Sequence, residues 1–280
     1  MRLSRRLFAA TLLLMIPAAA TARSAVSGLT TEPYALKLRD GSALDAEKGT
    51  IWVPEDRNDR SSRKIPVRFV RLKSTSAHPG SPIVYLAGGP GGPGTGTFAG
   101  PRQPVFLALR AVADVIVLDQ RGTGLSNTVE PCTADKPFDF AGQVLNEASY
   151  TAYYKTTLDR CLGVWKSQGV AIRGYTTVQS ADDIEDLRKA LGARKLNLWG
   201  TSYGTHLGLA FMRAHPGSVD RVAFSSVEGM GQTVKLPAHL DRAFERIAAF
   251  AGDPELLPTI RRVHARLDRK STRLNSSHTD

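Results

Sequence analysis

One stretch constrains this chain more than any other: residues 196–212, reading Leu-Asn-Leu-Trp-Gly-Thr-Ser-Tyr-Gly-Thr-His-Leu-Gly-Leu-Ala-Phe-Met. An apolar run containing Leu196, Leu198 and Trp199 breaks into Gly200-Thr201-Ser202-Tyr203-Gly204, and an apolar helical pattern starts at once. A strand that turns sharply into a helix at Gly-x-Ser-x-Gly holds its serine on a strained, exposed corner. The flanking positions must then be nearly free of side chain, because the two backbones close on each other there. Gly200 and Gly204 supply that room, and Gly208, one helical turn on, keeps the same helix face bare for a sheet. Such a pattern arises by chance in roughly one chain in six of this length and glycine content, so the surrounding sequence has to decide.

That sequence has the beat of an α/β protein. Thr50-Ile51-Trp52-Val53-Pro54 and residues 65–72 read as two strands around a polar turn, an antiparallel lead-in to a sheet. Residues 82–87 are continuously apolar, as expected of a strand covered on both faces, and end in Gly88-Gly89-Pro90-Gly91-Gly92-Pro93-Gly94. A short helical pattern over residues 104–111 leads to a second buried strand, Val115-Ile116-Val117-Leu118, followed by Asp119-Gln120-Arg121-Gly122-Thr123-Gly124. Strand, glycine loop, helix and strand in alternation predict a mostly parallel sheet with flanking helices, whose functional loops gather at the carboxyl ends of the strands. Residues 88–94, residues 119–126 and Ser202 all take that position.

Further along, Ser180-Ala181-Asp182-Asp183 resembles a capping box opening a helix with an Ile184, Leu187, Leu191 stripe, stopped by Gly192. The helix after Ser202 is expected to run to about Ala214, and residues 219–225 to form the next parallel strand. Residues 240–247 and 255–267 carry helical patterns, with no further strand.

The first residues carry an address. Arg2, Arg5 and Arg6 precede about ten apolar residues, too few for the roughly twenty that span a bilayer, and Ala20-Thr21-Ala22 has the form of a cleavage site. Residues 1–22 therefore read as a signal peptide, directing export to a periplasmic or extracellular space. Ser4-Arg5-Arg6-Leu7-Phe8 resembles the twin-arginine signal, although Ala9 and Ala10 depart from its ending, so both export routes stay open. In such a compartment a disulfide between Cys132 and Cys161, the only two cysteines, is the expected state. Neither sits in a metal-binding spacing. Losing the leader lowers the net charge from +11 to +8, and the remaining basic residues are scattered rather than gathered in a stripe, so no nucleic-acid partner is expected.

Taken in order, Gly88-Gly89-Pro90-Gly91-Gly92, residues 119–126 and Gly200-Thr201-Ser202-Tyr203-Gly204 resemble the prolyl and tripeptidyl aminopeptidase group of α/β-hydrolases, with Ile51-Trp52-Val53-Pro54 similar to its exported branch. The resemblance covers about residues 50–227, and Ala87 stands where family members usually carry a histidine. It implies peptide substrates with a free N-terminus and no cofactor or metal. Ser202 would be the nucleophile, with an oxyanion held by the backbone N–H of Tyr203 and one from Gly88 or Gly89. Asp119 and Arg121 are expected to stabilise their loop as an ion pair or cap, with substrate contact as the alternative. Glu228 is the candidate contact for a substrate's amine.

In this fold the acid and histidine follow the serine on loops after later strands. None of His206, His215, His239, His264 and His278 has such a place, and His206 should pack on the helix that follows Ser202. Residues 268–278, Asp-Arg-Lys-Ser-Thr-Arg-Leu-Asn-Ser-Ser-His, resemble a translated sequencing-adapter oligonucleotide. The organisation expected is thus a leader (1–22), the first part of a hydrolase core (23–228), the start of a helical cap (229–267) and a non-native tail (268–280). On that expectation the acid and histidine belong to a natural frame continuing past Leu267, and the 280-residue chain is nearly inactive. A carboxylesterase acting on small esters and an inert fragment or binding module with a vestigial corner are the competing readings.

Overall fold

The computed structural model describes residues 27–134, 136, 147–231 and 237–276. The expected leader, residues 1–22, lies outside them, as does the end of the expected tail.

Among the described residues seven strands form one sheet in the order β1-β2-β3-β5-β4-β6-β7. They are β1 (Ser27–Lys37), β2 (Ala43–Pro54), β3 (Lys64–Leu72), β4 (Ile83–Leu86), β5 (Val115–Asp119), β6 (Leu196–Thr201) and β7 (Val219–Ser225). The first three run antiparallel and hand over to β5, while β5, β4, β6 and β7 are mutually parallel. The sequence missed β1 entirely and started β2 seven residues late. β1 is the outer strand of the sheet and β2 lies next to it, and Thr30, Thr31, Glu32 and Lys48 there replace the apolar run expected of a buried strand.

Alternation along each central strand splits the core in two, because successive side chains point to opposite faces. Val84, Leu86, Ile116, Leu118, Ile65, Val67 and Phe69 pack on one face under the helices α4 (Thr177–Ala190) and α5 (Tyr203–Ala214), through Ile184, Leu187, Leu207 and Phe211. Tyr85, Val115, Val117 and Val70 face the other way, onto Phe98 and Phe106 of the short helices α1 (Gly94–Phe98) and α2 (Gln103–Leu109). There Trp199 meets Tyr85 and Phe106 with ring centroids 4.6 Å apart in both pairs.

Helix α4 starts three residues before the Ser180 suggested by the sequence. Thr176 caps it, its hydroxyl accepting from the Gln179 N–H, and Ser180 is buried inside the first turns. Between β5 and α4 lies a long helix, α3 (Glu147–Ser167), and its Cys161 is disulfide-bonded to Cys132, Cα atoms 5.6 Å apart. Beyond β7 come α6 (Pro237–Ala251) and α7 (Leu256–Ser276), the latter running on past Leu267. Among the described residues no helix is long and apolar enough to cross a membrane.

Glu185 ties α4 to the turn before β7. Burial alone would raise its carboxyl, but hydrogen bonds from Arg188 and the Ser218 hydroxyl, with the charges of Arg188 and Lys189, outweigh that and hold the pKa down at about 2. The unfolded chain, near 4.5, then takes up its proton first on acidification. This stabilisation is complete above pH 4.5 and disappears as pH falls towards 2. Wild type is expected to exceed Glu185→Gln by about 2 kcal/mol in urea unfolding at pH 6, the gap closing by pH 2. A gap independent of pH would contradict this origin.

Candidate active site

Strand β6 delivers the chain to Ser202, which sits at φ 53° and ψ −127° between the strand and α5. Only tertiary constraint holds a non-glycine residue in that region, at a cost of order 1–3 kcal/mol. Its N–H donates to the Ser225 carbonyl of β7, and its own carbonyl accepts from both the N–H and the hydroxyl of Thr205. The corner is clamped from both sides. Gly204 lies so close to β4 that a Cβ there would be 2.0 Å from the Leu86 carbonyl oxygen, and one on Gly208 would be 2.4 Å from the Phe224 ring. The closeness expected of Gly204 and Gly208 is therefore present.

The glycine run after β4 meets this corner. A Cβ on Gly88 would lie 2.8 Å from the Thr201 carbonyl and 3.0 Å from Ser202 Cβ, so any side chain there would cover the hydroxyl. Gly89 has φ +126°, and Gly92 N–H closes a turn onto the Gly88 carbonyl. Tyr203 opens α5, so its N–H has no acceptor within the helix. Its hydroxyl is 2.9 Å from Thr177 Oγ1.

Ser202 Oγ donates to Glu228 Oε1 at 3.2 Å, a contact that sequence reading did not foresee. Thr205 sets it up: its hydroxyl oxygen accepts from Glu228 N–H while the same hydroxyl bonds the Ser202 carbonyl. The only prior signal was that Glu228 follows β7 by three residues. Among the described residues no imidazole bonds Ser202 Oγ. His206 stacks on Tyr203 with its Nδ1 3.4 Å from the Gly229 carbonyl, and His215 caps α5 against Asp182 at 2.9 Å.

Asp119 and Arg121 do not form an ion pair with each other. Asp119 is fully buried and accepts from Thr95 N–H, Thr95 Oγ1 and Leu125 N–H at 2.7–2.9 Å, fastening the loop after β5 to the end of the glycine run. Arg121 points the other way. Its guanidinium takes both oxygens of Asp183 at 2.6 Å and the carbonyls of Glu55, Gly174 and Pro54.

A strained serine between a parallel strand and a helix, facing a glycine loop from the neighbouring strand, decides the lineage. Residues 81–273 match the family model described as alpha/beta hydrolase fold. The chain belongs to the α/β hydrolase fold family. Within it, the chain is similar to the tripeptidyl aminopeptidase of Streptomyces coelicolor, 29% identical over 219 residues that cover 75% of this chain and 40% of that protein. It is also 29% identical to the serine protease Hip1 of Mycobacterium tuberculosis over 175 residues, covering 60% and 33% of the two chains. Among solved structures it is similar to a proline iminopeptidase-related protein from Thermus thermophilus, with 18% identity, a TM-score of 0.38 and coverage of 63% and 44%. The chain thus spans less than half the length of the curated relatives it matches.

In this α/β hydrolase the Arg121–Asp183 pair is structural and buried, with Arg57 adding a second cation to Asp183 at 2.6 Å. Arg121→Ala is expected to cost about 3 kcal/mol, because it strips three buried carbonyls of a donor and leaves Asp183 to Arg57 alone. Urea unfolding checks this, and a loss below about 0.5 kcal/mol, the surface-substitution range, would contradict it.

Proposed function

We propose that this hydrolase is a serine peptidase cleaving close to a free N-terminus, with Ser202 as nucleophile. The observation that carries the reading is the forced corner at Ser202 against a Gly88 that has no space for a side chain. Ser202 Oγ attacks the substrate carbonyl, and the oxyanion is met by the N–H of Tyr203 and one from Gly88 or Gly89. The geometry supplies the reason for glycine there, since the incoming carbonyl needs the space a Cβ would fill. The similarity to proteins named tripeptidyl aminopeptidase and serine protease supports peptides over esters as substrates.

Glu228 is the proposed amine contact. With its carboxylate 3.2 Å from Ser202 Oγ, an ammonium held there belongs to the residue bearing the scissile carbonyl, which is a single-residue register. The role of proton acceptor is assigned to none of the described histidines. Export, with the Cys132–Cys161 bond kept oxidised, completes the reading.

A fluorophosphonate probe tests it directly. Phosphonylation of Ser202 in the full-length protein, located by peptide mass spectrometry, is expected, as is its turnover of aminoacyl or tripeptidyl anilides that falls about 30-fold or more on N-acetylation. A protein that cleaves these anilides with Ser202 unlabelled would overturn the assignment, and equal turnover after acetylation would remove the free N-terminus from it.

A further inference from the structure

Glu228 sits where little apolar packing holds it. The chain leaves β7 through Ser225, Ser226 and Val227, all exposed, with Val227 showing 63% of its surface. Polar ties to the neighbouring corner fix this segment instead. Ser202 N–H donates to the Ser225 carbonyl, and the hydroxyls of Thr201 and Ser225 are 3.0 Å apart. Ser226 then takes φ 53°, a left-handed conformation that a serine keeps only where its surroundings impose it. After that turn the chain meets the start of α5, where Thr205 accepts the Glu228 N–H at 2.8 Å and His206 Nδ1 stands 3.4 Å from the Gly229 carbonyl.

Thr205 is the most confined of these partners. It is fully buried, and its hydroxyl commits its one proton to the Ser202 carbonyl at 2.7 Å. Back-bonding of that kind is ordinary for a threonine inside a helix. The second bond is not. With its proton committed, the oxygen has only lone pairs to offer, and it offers one to a backbone N–H 23 residues along the chain. A hydroxyl that already donates is the better acceptor, so the two bonds reinforce each other.

One buried oxygen thus joins the backbone of Ser202 to the backbone of Glu228. A glutamate side chain is flexible, so its carboxylate is placed only as well as the backbone that bears it. From this fixed point Glu228 Oε1 lies 3.2 Å from Ser202 Oγ.

We propose that Thr205 is the positioning residue for Glu228, and that the preference for a free N-terminal amine is set by this buried hydroxyl together with the carboxylate it aims. The proposal rests on the peptidase reading and on Glu228 as the amine contact. It adds the group that keeps the carboxylate in register with the scissile carbonyl.

Titration calorimetry on the full-length protein tests it without turnover, using leucinol and N-acetylleucinol, which carry no scissile bond. Wild type is expected to bind leucinol tighter by about tenfold or more, the worth of a hydrogen bond between charged groups. Thr205→Val has the same shape without the hydroxyl and should shrink that ratio to about threefold or less, while Thr205→Ser keeps the hydroxyl and should restore it. Glu228→Gln should give the same small ratio as the valine variant. Thr205→Ala takes the place of Thr205→Val should that variant not fold, because alanine is the stronger helix former. The ratio separates positioning from general damage, since a loosened corner weakens both ligands alike. An undiminished ratio in a folded valine or alanine variant would overturn the proposal, as would a serine variant that behaves like the valine one. Equal binding of both ligands by wild type would overturn it together with the amine contact. An inert Ser202 towards the fluorophosphonate beside a Thr205-dependent ratio would instead defeat the peptidase reading alone, because these affinities do not depend on turnover.

Discussion

Ser202→Ala is expected to lower kcat/KM for N-terminally free peptides by about 10⁴-fold or more, leaving the residual rate that substrate positioning and oxyanion donors provide. The fold should survive, because the Ser202 hydroxyl has a single partner among the described residues, Glu228. The backbone strain remains in the alanine variant. Ser202→Gly removes it as well, so that variant should be equally inactive yet more stable, by about 1 kcal/mol, than Ser202→Ala. Steady-state kinetics and urea unfolding on the same preparations read both effects. Activity within tenfold of wild type in either variant would remove Ser202 from the chemistry, and a glycine variant less stable than the alanine one would show the corner to be unstrained.

Gly204→Ala is expected to be the most damaging single methyl addition on the elbow helix. In an exposed helix interior this change normally stabilises by about 0.5–1 kcal/mol, so the sign here is decided by packing. The new Cβ would stand 2.0 Å from the Leu86 carbonyl oxygen and 3.0 Å from that of Ala87. Neither can retreat, since β4 is fully buried between β5 and β6. Relief requires α5 to lift off the sheet, which uncovers Leu207 and Phe211 and drags Ser202 with it. A loss above about 4 kcal/mol is expected, or about 10 °C or more in Tm for a chain of this size. An unchanged melting temperature would mean that α5 does not lie against the Leu86 carbonyl.

The corner at Ser202 was legible because its requirements are local. Glycine at 200, 204 and 208 and serine at 202 answer to contacts made by the strand, turn and helix that carry them. Asp119 and Arg121 show the limit. Their loop was recognisable and its stabilising ion pair and caps were anticipated, but the partners were not. Asp119 serves Thr95 and Leu125, while Arg121 reaches Asp183, 62 residues away. Asp119 closes β5 and Arg121 already belongs to the turn that follows, so closeness in sequence brings no contact. Strand β1 escaped notice for a related reason. An edge strand with one wet face carries no continuous apolar run to betray it.

The sequence by itself determined the α/β alternation, the turn at Ser202 and the glycine loops at the strand ends, because periodicity and steric room are properties of consecutive residues. Tertiary structure alone decided that Glu228 meets the Ser202 hydroxyl, that Arg121 is spent on Asp183, and that the Thr205 hydroxyl takes the Glu228 N–H. Those contacts depend on the order in which strands lie side by side, and β5, β4, β6 is not the order of the chain.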